Sequence, residues 1–163
     1  MSDEDALKIA RAQGKERVAR SGSTRAVLRV LSAAMKLVVN TLLGVGMQAV
    51  AEAVALGSRL DLPRDLLFDT LAKTAVVAPA HAGKLATAKQ GDYTPQFPIR
   101  LMRKDFGLVL DAAEQLGLFM PTTEMAAVMN FREAATGGEE DFSAVIRRME
   151  QLTDTQTVLP PAA

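Results

Sequence analysis

Apolar residues recur at helical spacing along most of the chain, and prolines and glycines separate the periodic stretches. This pattern predicts helices over about 3–20, 24–59, 63–73, 79–91, 99–116 and 121–138, and a last one from Asp141 or Ser143 to about 152. No run of alternating or β-branched residues is bounded by turn signals. We therefore expect an all-α protein of about seven helices.

The longest predicted helix, from Thr24 to about Arg59, contains no proline. At 1.5 Å per residue it would be roughly 50 Å long, the length of a spine that other helices pack around. Its middle is apolar nearly all round, so burial on most faces is expected. Gly44 and Gly46 interrupt it. They indicate either close packing of another helix or room for a ligand, and packing is the favoured interpretation.

Three regions follow from this pattern. Residues 1–22 form a polar N-terminal helix or extension, in which Ser2 and Asp5 are placed for a capping box. Residues 23–152 form one helical domain around the long helix. Residues 153–163 have no periodicity and are expected to be a flexible tail.

Composition excludes several kinds of site. Lysine plus arginine equals aspartate plus glutamate, 19 each, so charge gives no reason to expect nucleic acid binding. The chain has no cysteine and a single histidine, His81, which argues against thiol chemistry and against a metal site. Aromatic residues are only 4% of a chain that is 48% hydrophobic, and such alanine- and leucine-rich composition favours helices.

The N-terminus is charged throughout and does not resemble a signal peptide. The most apolar stretch, residues 37–51, lies between Lys36 and Glu52 and contains Asn40 and Gln48. It is shorter and more polar than a membrane span of about 20 residues. A soluble, cytoplasmic protein without a membrane segment is expected.

Lys36 is the first residue with possible chemistry, because it interrupts an apolar helix in SAAMKLVVNTLLG. Asn40 follows four residues later, so both side chains leave the same helical face. Such a lysine either extends along its methylenes to solvent or points into a dry pocket, poised for proton transfer. Periodicity alone favours the first alternative.

Lys104 and Asp105 form the second candidate, in FPIRLMRKDFGLVLDAAEQLG. A Lys-Asp pair on an amphipathic helix is usually part of a solvated edge, and spacing alone favours that interpretation.

Together these segments resemble the C-terminal helical domain of the β-hydroxyacid dehydrogenases of the 3-hydroxyisobutyrate dehydrogenase type. KLVVN followed by AEAVALGSRLDL is similar to the signature helix of that family, and GDYTPQFPIRLMRKDFG is similar to its second landmark. LFMPTTEMAAVMNFREAATGGEEDFSAVI follows the family's ending. The resemblance covers about residues 30–152. It implies the fold of the 6-phosphogluconate dehydrogenase C-terminal domain and a homodimer.

The resemblance also implies roles in an oxidoreductase that uses NAD or NADP. Lys36 would be the general acid and base, and Asn40 would bind the substrate or position the lysine. Lys104 would lie near the cofactor with Asp105 steadying it, and Phe97 would line the same cleft. The implied substrates are 3-hydroxyisobutyrate, tartronate semialdehyde, glyoxylate or succinic semialdehyde.

Two departures from the family pattern limit this expectation. Val30 and Ser32 occupy the positions where the family has a Gly-x-Gly turn before the lysine. No GxGxxG turn between strand and helix is present, so the Rossmann domain that binds the dinucleotide is expected to be absent from this chain. The chain alone is therefore expected to be inactive.

Two alternatives remain open at this point. One is a non-catalytic helical dimerisation module descended from the same family, which Val30 and Ser32 favour. The other is the related imine reductases, which generally lack the lysine of KLVVN, so Lys36 argues against them.

Overall fold

A computed structural model describes residues 24–155, with side chains for residues 28–153. Within this range the chain forms six α-helices, one turn of 3-10 helix and no strand, so the all-α prediction is confirmed. The elements are α1 Thr24–Arg59, α2 Arg64–Lys73, α3 Pro79–Lys89, α4 Ile99–Leu116, α5 Pro121–Gly137, the 3-10 turn Phe142–Ala144 and α6 Val145–Thr155. The predicted helix over 3–20 and its Ser2–Asp5 capping box lie outside the described residues.

Proline and glycine set most of the helix ends, as the sequence predicts. Pro79 and Pro121 occupy the first positions of α3 and α5, and Pro63 is the N-cap of α2. A proline is tolerated there because the first N–H groups of a helix have no partner within it. Gly117 ends α4 in the left-handed conformation, at φ 65°, which an L side chain rarely adopts.

The last helix differs from its predicted end. It continues to Thr155, three residues beyond Leu152. The Thr153 hydroxyl donates a hydrogen bond of 2.8 Å to the Met149 carbonyl, one turn earlier, and this local bond is compatible with a continuing helix. The first residues of the predicted tail are thus helical, and residues 156–163 lie outside the described part.

The core lies around the C-terminal half of α1. Met47, Ala51 and Val54 are fully buried there, and α4, α5 and α6 pack against this helix. Their fully or almost fully buried partners are Phe68, Leu85, Ile99, Met102, Phe106, Phe142 and Ile146. The expectation that α1 is buried on most faces therefore holds for its C-terminal half, and it is wrong for residues 28–42, which expose a row of large apolar side chains.

Gly44 and Gly46, inside α1, are sites of close packing and not of ligand space. A methyl group at Gly44 would collide with the ring of Phe106. A methyl group at Gly46 would collide with the ring of His81, whose Nε2 lies 2.9 Å from the Leu43 carbonyl oxygen. The absence of a side chain at both positions lets neighbouring helices approach the backbone of α1.

By length and composition, Leu28–Arg59 is long and apolar enough to cross a membrane. Only 17% of its most apolar window is buried. The core helix of a soluble protein passes the same test, and Met47, Ala51 and Val54 of this helix belong to the core of the bundle.

Candidate functional site

The first candidate motif meets the second where α1 crosses α4. The Asn40 Nδ2 donates a hydrogen bond of 2.6 Å to Asp105 Oδ2, although the residues are 65 positions apart in the chain. The Lys36 Nζ lies 3.9 Å from Asp105 Oδ1. Helical spacing places Lys36 and Asn40 on one face of α1, and the packing of the two helices brings the carboxylate to that face.

Burial differs sharply across this cluster. Asp105 is 4% exposed, whereas half of the Lys36 side chain is exposed, at 50%. A buried carboxylate is costly without partners, and the amide of Asn40 and the ammonium of Lys36 supply them. Lys36 therefore reaches solvent while its head group remains beside Asp105. The exposure of the side chain agrees with the solvent-reaching alternative for this lysine.

Lys104 is placed differently from its neighbour Asp105. It is exposed on the surface of α4. Residues adjacent on a helix point about 100° apart, so Asp105 and Lys104 face different directions. The resemblance implies that Asp105 steadies Lys104, but in the structure Asp105 contacts Asn40 and Lys36 instead.

Phe97 lies just before α4, at the opposite end of that helix from its glycine cap. Its ring is half-buried and packs edge-on against Phe142, with 5.7 Å between the ring centroids. Asp105 follows eight residues later, about 12 Å along a helix axis. The contacts of Phe97 thus join the segment before α4 to the 3-10 turn.

A buried ion pair that the sequence did not reveal holds the segment before α4. The Lys84 Nζ lies 2.6 Å from Asp141 Oδ2, which also accepts hydrogen bonds from the backbone N–H groups of Gln96 and Phe97. The Ser143 hydroxyl and N–H donate to the other oxygen, Oδ1. The pair anchors Phe97 and the 3-10 turn to α3.

Burial raises the pKa of Asp141, but the Lys84 ammonium, the Phe97 N–H and Ser143 outweigh it and leave this pKa below its usual value. The role of Asp141 as a cap is visible in the sequence, because Ser143 follows two residues later. Its pairing with Lys84 is not, because 57 residues separate them and nothing distinguishes this lysine within KLATAK.

Comparison with known proteins identifies the fold and the family. Residues 32–149 match the family described as "NAD-binding of NADP-dependent 3-hydroxyisobutyrate dehydrogenase". The chain belongs to this family. The resemblance found in the sequence is thereby confirmed.

Among curated relatives, L-threonate dehydrogenase of Pectobacterium atrosepticum is 35% identical over 124 residues, which are 76% of this chain and 41% of that protein. The cytokine-like nuclear factor N-PAC of Drosophila melanogaster is 33% identical over 115 residues, 70% of this chain and 19% of the relative. The chain therefore spans less than half the length of these relatives.

Among solved structures, 3-hydroxyisobutyrate dehydrogenase of Salmonella typhimurium superimposes with a TM-score of 0.70 and 26% identity. The superposition covers 90% of this chain and 66% of the other. The helical arrangement described above is thus shared with a member of the family.

The backbone before Lys36 departs from the Gly-x-Gly turn that the resemblance leads us to expect. The helix α1 begins at Thr24 and runs unbroken through Val30 and Ser32. Val30 is 7% exposed, and the Ser32 hydroxyl donates a hydrogen bond of 2.7 Å to the Leu28 carbonyl. These residues therefore fill a continuous helix where the expected turn would leave bare backbone.

The described residues suit the reacting end of a dinucleotide better than its phosphates. Lys36 and Asn40 offer a cation and an amide to an oxygen atom. The Gly-Val-Gly at 44–46 lies inside a helix, and its two glycines are covered by Phe106 and His81, so it offers no cradle of backbone N–H groups to a phosphate. Among residues 24–155, no three histidine, aspartate or glutamate side chains are grouped to hold a metal ion.

Proposed function

We propose that this chain supplies the substrate-binding and proton-transferring half of an NAD(P)-dependent oxidoreductase of the 3-hydroxyisobutyrate dehydrogenase type. The observation that supports the proposal is the cluster of Lys36, Asn40 and Asp105 at the crossing of α1 and α4. These are the residues of the two motifs that carry the family resemblance.

On this proposal Lys36 acts as the general acid and base of the reaction. A bound nicotinamide would supply the hydride acceptor for oxidation and the donor for reduction. During oxidation, the neutral Lys36 amine takes the proton from the substrate hydroxyl as its oxygen becomes a carbonyl oxygen. During reduction, the Lys36 ammonium returns that proton to the oxygen and stabilises its developing negative charge.

Asp105 and Asn40 act on the lysine and on the substrate. The buried Asp105 carboxylate attracts the Lys36 ammonium, and the hydrogen bond from Asn40 fixes the carboxylate. One N–H of Asn40 is engaged in that bond, which leaves its carbonyl oxygen and second N–H for a substrate hydroxyl or carboxylate. We assign Asp105 as the positioning residue of the site.

The cofactor would be bound mainly by a Rossmann domain, and NAD or NADP would be chosen there. Lys104 and Phe97 are proposed to approach the cofactor from the helical side, and the exposure of Lys104 suits contact with a second domain. On this proposal residues 1–163 by themselves do not turn over substrate. A small hydroxy acid or aldehyde acid is the proposed substrate, since L-threonate and 3-hydroxyisobutyrate are named among its relatives.

The cofactor part of the proposal is tested by calorimetric titration of NAD(H) and NADP(H) into the purified chain. We expect no submillimolar binding without a nucleotide-binding domain. Submillimolar binding to the chain alone would refute the claim that most of the cofactor site lies elsewhere.

The role of Lys36 is tested in a fusion of this chain to the Rossmann domain of the relative from Pectobacterium atrosepticum. If the fusion reduces NAD or NADP with a hydroxy acid, Lys36→Ala should lower kcat by about 10²- to 10⁴-fold. Lys73→Ala is the matched control, because Lys73 is an exposed lysine of α2 away from the site. Equal rates for the two variants would contradict the assignment of Lys36.

A second candidate is a non-catalytic dimerisation module of the same descent. The unbroken helix through Val30 and Ser32 favours it. A fusion that folds and binds NAD(H) but oxidises no hydroxy acid would support this candidate over the first. On either candidate we propose a homodimer, because α1 exposes a row of large apolar side chains along residues 28–42.

A further inference from the structure

The first turn of α4 is capped by a segment that is distant in the sequence. The N-cap residue, Pro98, makes no side-chain hydrogen bond to the helix. The Ile99 N–H donates a hydrogen bond of 2.8 Å to the Glu140 carbonyl. The Arg100 N–H donates one of 3.2 Å to the Gly138 carbonyl. Because hydrogen bonds are directional, these two restrict both the rotation of α4 about its axis and its position along that axis.

The segment that caps α4, residues 138–141, is itself held by the buried pair of Lys84 and Asp141. We call it the capping segment. The Asp141 carboxylate accepts the Lys84 ammonium at 2.6 Å and the backbone N–H groups of Gln96 and Phe97. The same ammonium donates a hydrogen bond of 3.0 Å to Gln96 Oε1. The pair therefore ties the residues before α4 and the capping segment together, and both to α3.

The rotation of α4 decides which of its side chains meets Lys36 and Asn40. Asp105 lies six residues after Ile99, about 9 Å along the helix axis, and its neighbour Lys104 points about 100° away. At about 5 Å from the axis, a rotation of about 20° moves the carboxylate by about 1.7 Å. Added to the present 2.6 Å, this displacement takes the Asn40 amide beyond hydrogen-bonding distance.

Apolar packing leaves this rotation less tightly defined. Ile99, Met102 and Phe106 of α4 are fully or almost fully buried in the core, but the gain from burying apolar surface has no preferred direction. The two hydrogen bonds at the start of α4 supply a direction. Their acceptors stay in place because Asp141, which ends the capping segment, is paired with Lys84.

We propose that Lys84 and Asp141 are positioning residues of the candidate site. By fixing the start of α4, they hold the Asp105 carboxylate against Asn40 and beside Lys36. The catalytic consequence of this coupling rests on the function proposed above. The coupling itself does not, since it concerns contacts within the described bundle.

The first test follows the side-chain amide of Asn40 by ¹H–¹⁵N NMR of the full chain, with its signals assigned by their loss in Asn40→Ala. In Lys84→Met, the bonded amide proton should move upfield, toward the positions of solvent-exposed amides, because its bond to Asp105 is weakened. Lys84→Arg keeps a cation beside Asp141 and should restore most of the wild-type position. Should circular dichroism show that Lys84→Met is unfolded, Asp141→Asn takes its place, because it keeps the shape of the side chain but lacks its charge.

Two controls on α3 distinguish positioning from a general loss of stability. Leu85→Ala alters a fully buried residue next to Lys84 and should lower the urea midpoint of unfolding as well. It should leave the Asn40 signal in place, because an aliphatic side chain makes no hydrogen bond to the capping segment. Lys89→Met removes a lysine that pairs with Asp69 of α2, at 2.9 Å, and should also leave that signal unchanged.

The second test uses the fusion to a Rossmann domain described above. Lys84→Met should lower kcat by about 10²-fold, since misplacing a catalytic group by about 1 Å has an effect of this size. Lys84→Arg should recover most of the rate, and Lys89→Met should keep the wild-type rate.

The outcomes separate this inference from the proposed function. An Asn40 signal that stays in place in Lys84→Met, or that moves as far in Leu85→Ala, would overturn the coupling. A wild-type kcat in a Lys84→Met fusion whose Asn40 signal has moved would overturn the positioning role in catalysis. If the signal moves as expected but the wild-type fusion oxidises no hydroxy acid, the coupling is supported and the proposed function alone is refuted.

Discussion

The hydrogen bond between Asn40 and Asp105 joins the two motifs of the candidate site, and its energetic contribution is measurable by a double-mutant cycle. The bond is 2.6 Å long, its acceptor is charged, and Asp105 is 4% exposed. Hydrogen bonds to charged groups contribute about 1.5–3 kcal/mol, and we expect Asp105→Ala to lower the free energy of unfolding by that amount. Asn40→Ala should cost a similar amount, since it leaves a buried carboxylate with one partner fewer.

The two changes should not be additive. If the side chains act through each other, Asn40→Ala/Asp105→Ala should cost about 1–2 kcal/mol less than the sum of the single variants. Lys36→Ala serves as the comparison: the lysine is 50% exposed and 3.9 Å from the carboxylate, so its effect on stability should stay below about 1 kcal/mol.

Urea unfolding followed by circular dichroism at 222 nm measures all of these variants, at one fixed protein concentration because a dimer is more stable at higher concentration. Additive costs for Asn40→Ala and Asp105→Ala would refute the bond as a direct coupling. A larger loss for Lys36→Ala than for Asp105→Ala would refute the ranking by burial.

Three further predictions concern the rest of the bundle. Lys84→Ala should cost about 3–5 kcal/mol, measured by urea unfolding, because it leaves the buried Asp141 carboxylate without its cation. Gly44→Ala should lower the melting temperature through its collision with Phe106, whereas Gly83→Ala, where a methyl group meets nothing, should raise it by removing a helical glycine; the opposite order would contradict the packing described for α1. The pKa of Asp141 is depressed in the folded chain, so its stabilisation is present above the unfolded pKa of about 4 and is lost as the pH falls through the lower folded pKa. Acid unfolding should therefore show a smaller loss of stability between pH 5 and 2 in Asp141→Asn than in the wild type, and identical slopes would refute the assignment.

Helix boundaries were the part of the fold most accessible from the sequence. Pro79, Pro121 and Gly117 are found at the helix ends where the sequence places them, because a missing N–H and a left-handed φ are properties of single residues. The end of α6 was less predictable. Its last turn extends to Thr155 with the Thr153 side chain bonded to the Met149 carbonyl, in a stretch without hydrophobic periodicity.

For the candidate site, too, the sequence predicts one part, and the other part depends on the tertiary structure. Helical spacing places Lys36 and Asn40 on one face of α1, and this needs only the geometry of a single helix. Asp105 faces Lys36 and Asn40, and its neighbour Lys104 does not. Which of the two faces them depends on how far α4 is rotated about its own axis when it packs on α1. Phe106, the residue after Asp105, packs against Gly44 of α1 and is part of that packing.

By itself, the sequence determined the helical class of the protein, most of its helix ends, its family and the placement of Lys36 and Asn40 on one face of α1. These depend on local backbone preferences and on residue types within a few turns. Only the tertiary structure decided that Asp105 bonds Asn40, that Lys84 neutralises Asp141 and that one face of α1 stays uncovered along residues 28–42. Contacts between residues about 60 positions apart are set by how whole helices pack, and that packing is the joint result of many side chains of the core, no one of which specifies it alone.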